Sequence, residues 1–210
     1  MLSKIALLQN ISAIIFDLGG VLIDVDYDKT IKAFEKLGIE NAGELYSQQS
    51  QSSLFNKIEC GEISTVDFLT ELSKRTQKDL GLLEIKAAWN AIIGPYNKRI
   101  IPLLRSLKKE YKLFVLSNTN LIHIEKANEE WSKISSLSMS SFFDKVYLSH
   151  EIGDRKPNSS VFKNLCEEQN LNPGKTLFID DSIQHIESAK RMGLKTHHLK
   201  SMESLYELFS

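Results

Sequence analysis

Three short runs of the chain are almost wholly apolar, and each stops abruptly at a polar cluster. Residues 12–16 (SAIIF) run into Asp17, residues 112–116 (KLFVL) into Ser117 and Asn118, and residues 176–179 (TLFI) into Asp180 and Asp181. Runs this short, and this rich in β-branched and aromatic residues, suit strands buried on both faces, as in a parallel sheet. Residues 145–148 (KVYL) have the same form, and residues 195–199 (KTHHL) make a weaker fifth candidate. Amphipathic helical patterns lie between them, at residues 100–109 and 161–169. Strand–helix alternation of this kind predicts an α/β fold with an open parallel sheet.

Residues 27–94 read differently. Helical patterns recur at 29–37, 42–50, 65–74 and 82–93, with Gly38, Gly61 and Gly81 in the loops and no strand pattern between. The expected organisation is a core of residues 1–26 and 95–210 interrupted by a helical insert, 27–94. A chain of 210 residues can bury one core with a small appended unit. The Ser-rich stretch 135–141 reads as a loop.

The formal net charge of −1 leaves no electrostatic footprint for nucleic acid or an anionic membrane. Lys108 and Lys109 stand beside Glu110 and read as solvated helix surface. No apolar run approaches the roughly 18–20 residues of a membrane span. Cys60 and Cys166 match no metal or redox spacing and read as free thiols. The first ten residues lack a convincing apolar signal core and cleavage site, so a cytoplasmic location is expected.

Open parallel sheets bind ligands beyond the carboxyl ends of their strands, which nominates the polar clusters that end these runs. Asp17, in FDLGGV, follows a buried strand and precedes a glycine-rich turn. A carboxylate there can ligate a hard cation and attack phosphorus, or it can merely cap the turn. Asp180 and Asp181 can share the same rim; clustered carboxylates repel and call for a cation, and oxygen-only donors suit Mg²⁺. Alternatively they form an acidic turn before a helix. Ser117 and Asn118 supply hydroxyl and amide donors where a following helix can bind phosphate, with Ser117 as a helix cap the plainer reading. Lys156, in GDRKP, supplies a cation that offsets the charge of a carboxylate meeting a phosphate.

Taken in order, FDLGGVL, LSNTN, RKP and FIDDS resemble the signature motifs of the haloacid dehalogenase (HAD) superfamily of hydrolases. The resemblance spans essentially the whole chain. It implies a Rossmann-like core, with residues 27–94, including Gly61 to Ser64, as the helical cap found after the first motif. The Asp-Leu-Gly opening looks like that of small bacterial cap-bearing phosphatases, one of which hydrolyses α-D-glucose 1-phosphate. By that resemblance Asp17 is nucleophile and metal ligand. The main-chain carbonyl of Gly19, Asp181 and Asp180 complete the Mg²⁺ site, while Ser117, Asn118 and Lys156 hold the phosphate. The implied partner is a small phosphorylated metabolite, with no nucleic acid, membrane or obligate protein partner.

The chain departs from the pattern twice. Gly19 stands where most superfamily phosphatases carry a second Asp that protonates the leaving group, a contribution of roughly 10²–10⁴-fold in general. Asp24 or Asp26 could substitute, or could serve as hinge and capping residues. His185 stands where Asn or Asp usually supports the metal pair, and His123 is a further polar group near the rim. These departures keep open a second reading, a degenerate member that binds a phosphorylated ligand or a protein partner. A third, metal-free dehalogenation, is disfavoured by the acidic pair. Specificity is expected from the insert, with Glu59, Glu62, Phe55 and Trp89 as candidates, although Phe55 and Trp89 have the spacing of insert core.

Overall fold

The computed structural model describes residues 7–39, 41–45, 53–76, 78 and 80–210. Its strands are β1 (Ala13–Phe16), β2 (Ile23–Val25), β3 (Ile93–Tyr96), β4 (Lys112–Ser117), β5 (Lys145–Leu148), β6 (Thr176–Asp180) and β7 (Lys195–His198). Five of them form one parallel sheet in the order β5-β4-β1-β6-β7. The central strands β1, β4 and β6, and the edge strand β5, were legible as apolar runs because buried strands need no polar alternation; β7 (KTHH), a partly exposed edge strand, was the weaker candidate. The chain fills one side of β1 with β4 and β5 before crossing to the other with β6 and β7. The three motif-bearing strands are therefore the three central ones. Asp17, Ser117 and Asp180 end up along a single carboxyl edge.

Alternation along β1 builds a core on each face. Ile14 and Phe16 pack with Leu113, Val115, Leu177 and Ile179. That cluster also takes in residues of α6 (Ile100–Leu107), α7 (Leu121–Ser132) and, at the C-terminus, Leu205 and Leu208. Ala13 and Ile15 face the other way, onto Phe114, Phe178 and the apolar sides of α9 (Ser159–Glu168) and α10 (Ile183–Arg191). A four-residue helix, α8 (Ser149–Ile152), follows β5, and α11 (Met202–Leu208) ends the fold.

Between β2 and β3 lie α1 (Tyr27–Lys36), α2 (Ala42–Leu45), α3 (Ser53–Glu59), α4 (Thr65–Ser73) and α5 (Leu82–Asn90). These helices pack a separate apolar cluster in which Trp89 meets Phe34, Phe55 and Phe68 at ring-centroid distances of 5.1–6.1 Å. Phe55 and Trp89 are thus insert core.

The structure differs from the sequence reading in several local elements, β2 among them, which was not read as a strand. The helix expected over 82–93 ends at Asn90, and Ile93–Tyr96 pairs antiparallel with Ile23–Val25. The insert is therefore entered and left through a two-stranded ribbon. The sequence IGPY hid this strand, because Gly and Pro both argue against one; a two-stranded ribbon is all edge and tolerates Pro. Gly94 is needed there, since a Cβ at that position would come within 2.8 Å of the Asp24 carboxylate. The helix α3 was not read at all, and the pattern expected over 46–50 lies outside the described residues. The serine-rich stretch includes one short 3₁₀ turn, Met139–Phe142. No helix among the described residues is long and apolar enough to cross a membrane.

Candidate active site

Asp17 leaves β1 with its N–H donating to the Ile179 carbonyl (2.9 Å), which continues the ladder one residue past the strand. Its Oδ1 accepts the Leu18 N–H at 2.7 Å and lies 2.8 Å from Nζ of Lys156. The same ammonium donates to Asp180 Oδ2 at 2.7 Å and stands 5.4 Å from the Phe178 ring centroid. Lys156 and Asp180 are both fully buried, so this cation is held between two carboxylates away from water. Asp180 is saturated further: Oδ1 accepts the Ser182 N–H at 2.7 Å, and His185 donates its Nδ1–H to the carboxylate at 3.0 Å. His185 therefore does meet the acidic pair, through Asp180.

Asp181 completes the group. Asp17, Asp180 and Asp181 each offer an oxygen such that all lie within 4.8 Å of one another. The turn that carries Asp17 back under this cluster depends on Gly20, at φ +72°, where a Cβ would come within 2.5 Å of Asp181 Oδ2. Only glycine permits both that backbone and that approach.

Burial drives the electrostatics. It raises Asp17 above the ordinary carboxylate range, outweighing the opposing charge of Lys156, and the charge of Asp180 adds to the rise. Burial, then the charges of Asp17 and Asp180, push Asp181 up to about 7. Asp180 goes the other way. Burial works against its charge, but Lys156 and His185 together hold it below the usual range. Lys156 is likewise held above its ordinary value, burial being outweighed by its two carboxylate neighbours. The result is one settled ion pair, Lys156–Asp180, beside two carboxyls whose ionisation is resisted. That donor set fits a hard divalent cation, which would relieve the repulsion at Asp17 and Asp181.

The second motif meets this group from β4. Ser117, Asn118 and Thr119 line the cavity above Asp17. The Asn118 amide exchanges two hydrogen bonds with the main chain of Lys156, donating to its carbonyl at 2.8 Å and accepting its N–H at 2.9 Å. Its side chain thus fixes the loop that carries the buried lysine. The helix that follows is capped by Asn120, whose Oδ1 accepts the His123 N–H at 3.1 Å, and not by Ser117.

His123 lines the cavity, but both of its ring nitrogens are engaged. Asn120 Nδ2 donates to Nδ1 at 3.2 Å, which leaves Nε2–H to donate to the Trp89 carbonyl at 3.1 Å. The ring also stacks on Trp89 at 4.3 Å, and burial pushes its pKa down to about 4. A neutral His123 therefore pins the end of α5 to the start of α7. Asp24 and Asp26 do not line the cavity: Asp24 packs over Gly94, and Asp26 caps α1 by accepting the Asp28 N–H at 3.1 Å. Glu62 is exposed away from it, whereas Glu59 lines it. Arg155, Tyr27, Thr119 and Gln184 are cavity residues that sequence reasoning missed. Arg155 carried a signal as the neighbour of Lys156, and Thr119 as a member of the LSNTN run; Tyr27 and Gln184 carried none.

A five-stranded parallel core with carboxylates from two central strands around a buried lysine defines a hydrolase of the HAD type. The family model for haloacid dehalogenase-like hydrolases matches residues 14–198, and the chain belongs to that family. It is 31% identical over 186 residues to the D-ribitol-5-phosphate phosphatase of Bacteroides thetaiotaomicron, covering 89% of this chain and 90% of that one. Among solved structures, a HAD family enzyme from the same organism, a variant with one aspartate replaced by alanine, was crystallised with magnesium and inorganic phosphate. It superposes with a TM-score of 0.90 at 30% identity, over 95% of this chain and 99% of that one. A HAD-like family hydrolase from Porphyromonas gingivalis gives 0.82 at 31% identity, over 95% and 98%.

Proposed function

We propose that the chain is a Mg²⁺-dependent phosphatase acting on a small phosphorylated metabolite of the sugar or polyol type, through an aspartyl phosphate on Asp17. The observation that carries this reading is the Asp17 carboxylate, placed at the end of the central strand with Lys156 at 2.8 Å and the acidic pair beside it. The whole-length likeness to a phosphatase of a polyol phosphate supports the substrate class.

In this reading a carboxylate oxygen of Asp17 attacks phosphorus. The Asp17–phosphorus bond forms as the phosphorus–oxygen bond to the leaving alkoxide breaks, the alkoxide taking its proton from water. A second water then attacks phosphorus, breaking the acyl-phosphate bond to release inorganic phosphate and return the Asp17 carboxylate. Lys156 offsets the charge that accumulates as carboxylate and phosphate meet. Ser117 and the main-chain N–H of Asn118 take the phosphoryl oxygens, the Thr119 N–H being committed to Ser149 Oγ at 2.8 Å. The carboxylates of Asp17 and Asp181 and the carbonyl of Gly19 would hold Mg²⁺, with Asp180, already tied to Lys156 and His185, keeping the cluster in place. When bound, the cation supplies charge neutralisation at the phosphoryl group. The residues 27–94 act as the cap over this site.

Glycine at 19 supplies no carboxylate of its own to hand a proton to the leaving group, and a Cβ there would lie 3.2 Å from Val25 Cγ1. Alcohol leaving groups should therefore turn over more slowly than acyl phosphates. The test is phosphate release from ribitol 5-phosphate, glucose 1-phosphate and acetyl phosphate, each with Mg²⁺ and with EDTA. Mg²⁺-dependent release, fastest per site on acetyl phosphate, is the expected result. Tight binding of these compounds without release would favour the degenerate, ligand-binding reading.

The raised carboxyls make Mg²⁺ binding pH-dependent. A cation must displace the proton that Asp181 keeps up to about pH 7. Affinity for Mg²⁺ should fall about tenfold per unit below that pH and level off above it. The gain in Tm on adding Mg²⁺ should be larger at pH 7.5 than at pH 5.5. Equal gains at both would contradict the assignment of Asp181.

A further inference from the structure

The cavity over Asp17 carries a second charged pair that the phosphoryl chemistry leaves unused. Glu59 is the last residue of α3, only 3% exposed, and lines the cavity from the insert side. Arg155 reaches the same cavity from the core, on the loop that holds Lys156. Its Nη2 lies 3.1 Å from Glu59 Oε2, and its Nη1 donates to the Asn56 side chain. The same cavity wall also carries the apolar side chains of Val25, Ile92 and Ile93.

A pair of this kind is a poor fastener. Withdrawing two charges from water costs about as much as their attraction returns, so a buried ion pair adds little net stability. The insert already has close contact with the core nearby: a Cβ on Gly61 would come within 2.3 Å of the His150 carbonyl oxygen. What the pair does offer is recognition. The carboxylate accepts hydroxyl protons, the guanidinium donates to hydroxyl oxygens, and their charges nearly cancel. A substrate body bearing a second carboxylate would set its charge against Glu59, whereas a purely apolar body would leave both groups without hydroxyl partners.

We propose that Glu59 and Arg155 are the substrate-selecting pair of this cavity, binding the hydroxyl groups of a neutral, polyhydroxylated body. The inference rests on the phosphatase reading and deepens it by naming what lies beyond the phosphate. Binding is best measured on Asp17→Asn, which cannot form the acyl phosphate, so that turnover plays no part. This protein, with and without Glu59→Gln, is titrated calorimetrically in Mg²⁺ with ribitol 5-phosphate and with inorganic phosphate. Glu59→Gln should weaken ribitol 5-phosphate about 10- to 100-fold, the scale of hydrogen bonds to a charged group, while inorganic phosphate changes less than about threefold. The phosphate titration also reports that the variant is folded. An equal loss for both ligands, no loss for either, or a parent protein that binds ribitol 5-phosphate no more tightly than phosphate would overturn the proposal. Absence of turnover by the unaltered enzyme bears only on the phosphatase reading.

Discussion

Replacing Asp17 by asparagine should lower kcat by at least about 10⁴-fold on every substrate while leaving the melting temperature unchanged or raised. The two halves of this expectation have one cause. Asp17 is buried, and burial outweighs the attraction of Lys156 in setting its ionisation. Its negative charge is thus held at a cost that the fold meets elsewhere, as is common for reactive groups. Asparagine keeps the shape and the acceptor for the Leu18 N–H, removes the nucleophile, and removes the charge that burial opposes. Lys156 keeps its second partner, Asp180, at 2.7 Å. Phosphate release and thermal melts on the same preparation check both halves. Retention of more than about a hundredth of the activity would place the nucleophile elsewhere. A large drop in Tm would mean that Asp17 holds the turn together and is not a strained catalytic group.

Lys156→Met should behave in the opposite way, losing stability as well as activity. The substitution is close in size, but it leaves Asp17 and Asp180 buried without the cation that bridges them. Breaking a buried pair by removing one partner costs about 3–5 kcal/mol. For a chain of this size that amounts to a fall in Tm of roughly 6–20 °C. The pH dependence gives a sharper check. Without Lys156, the carboxyl of Asp180 should no longer be held below its usual range, so the folded variant takes up a proton more readily than wild type. The deficit relative to wild type should therefore shrink as pH falls from 7.5 to 5.5. Adding Asp180→Asn to Lys156→Met should recover part of it at pH 7.5, because the two residues share one interaction. A deficit below about 1 kcal/mol, or one independent of pH, would show that the lysine is not the counter-charge of the cluster.

The sequence carried the sheet well. The three central strands declared themselves as apolar runs, since a strand covered on both faces satisfies its backbone in the ladder and its side chains in two cores, whereas the edge strand β7 (KTHH) gave only a weak signal. The polar residues that end β1, β4 and β6 were equally legible, because a polar cluster at the end of a buried run must emerge at a sheet edge. These local facts, taken with motif order, nominated Asp17, Lys156 and the Asp180–Asp181 pair. Local signals failed where pairing is non-local or chemistry is mixed. Ile93–Tyr96 contains Gly and Pro and reads as a break until β2 lies beside it.

Tertiary structure alone decided how the nominated groups are used. Lys156 meets Asp180 across 24 residues of chain, and the Asn118 amide grips the Lys156 main chain across 38. Arg155 meets Asn56 across 99 residues and Glu59 beside it, so that charged groups of the insert and the core face one cavity. His123 looked available to a substrate until the structure placed both of its nitrogens on Asn120 and Trp89. Hydrophobic periodicity is a property of neighbours in sequence, so it fixed the strands and their ends. A hydrogen bond or an ion pair is a property of neighbours in space, and a buried charge has no settled role until the fold supplies its partner.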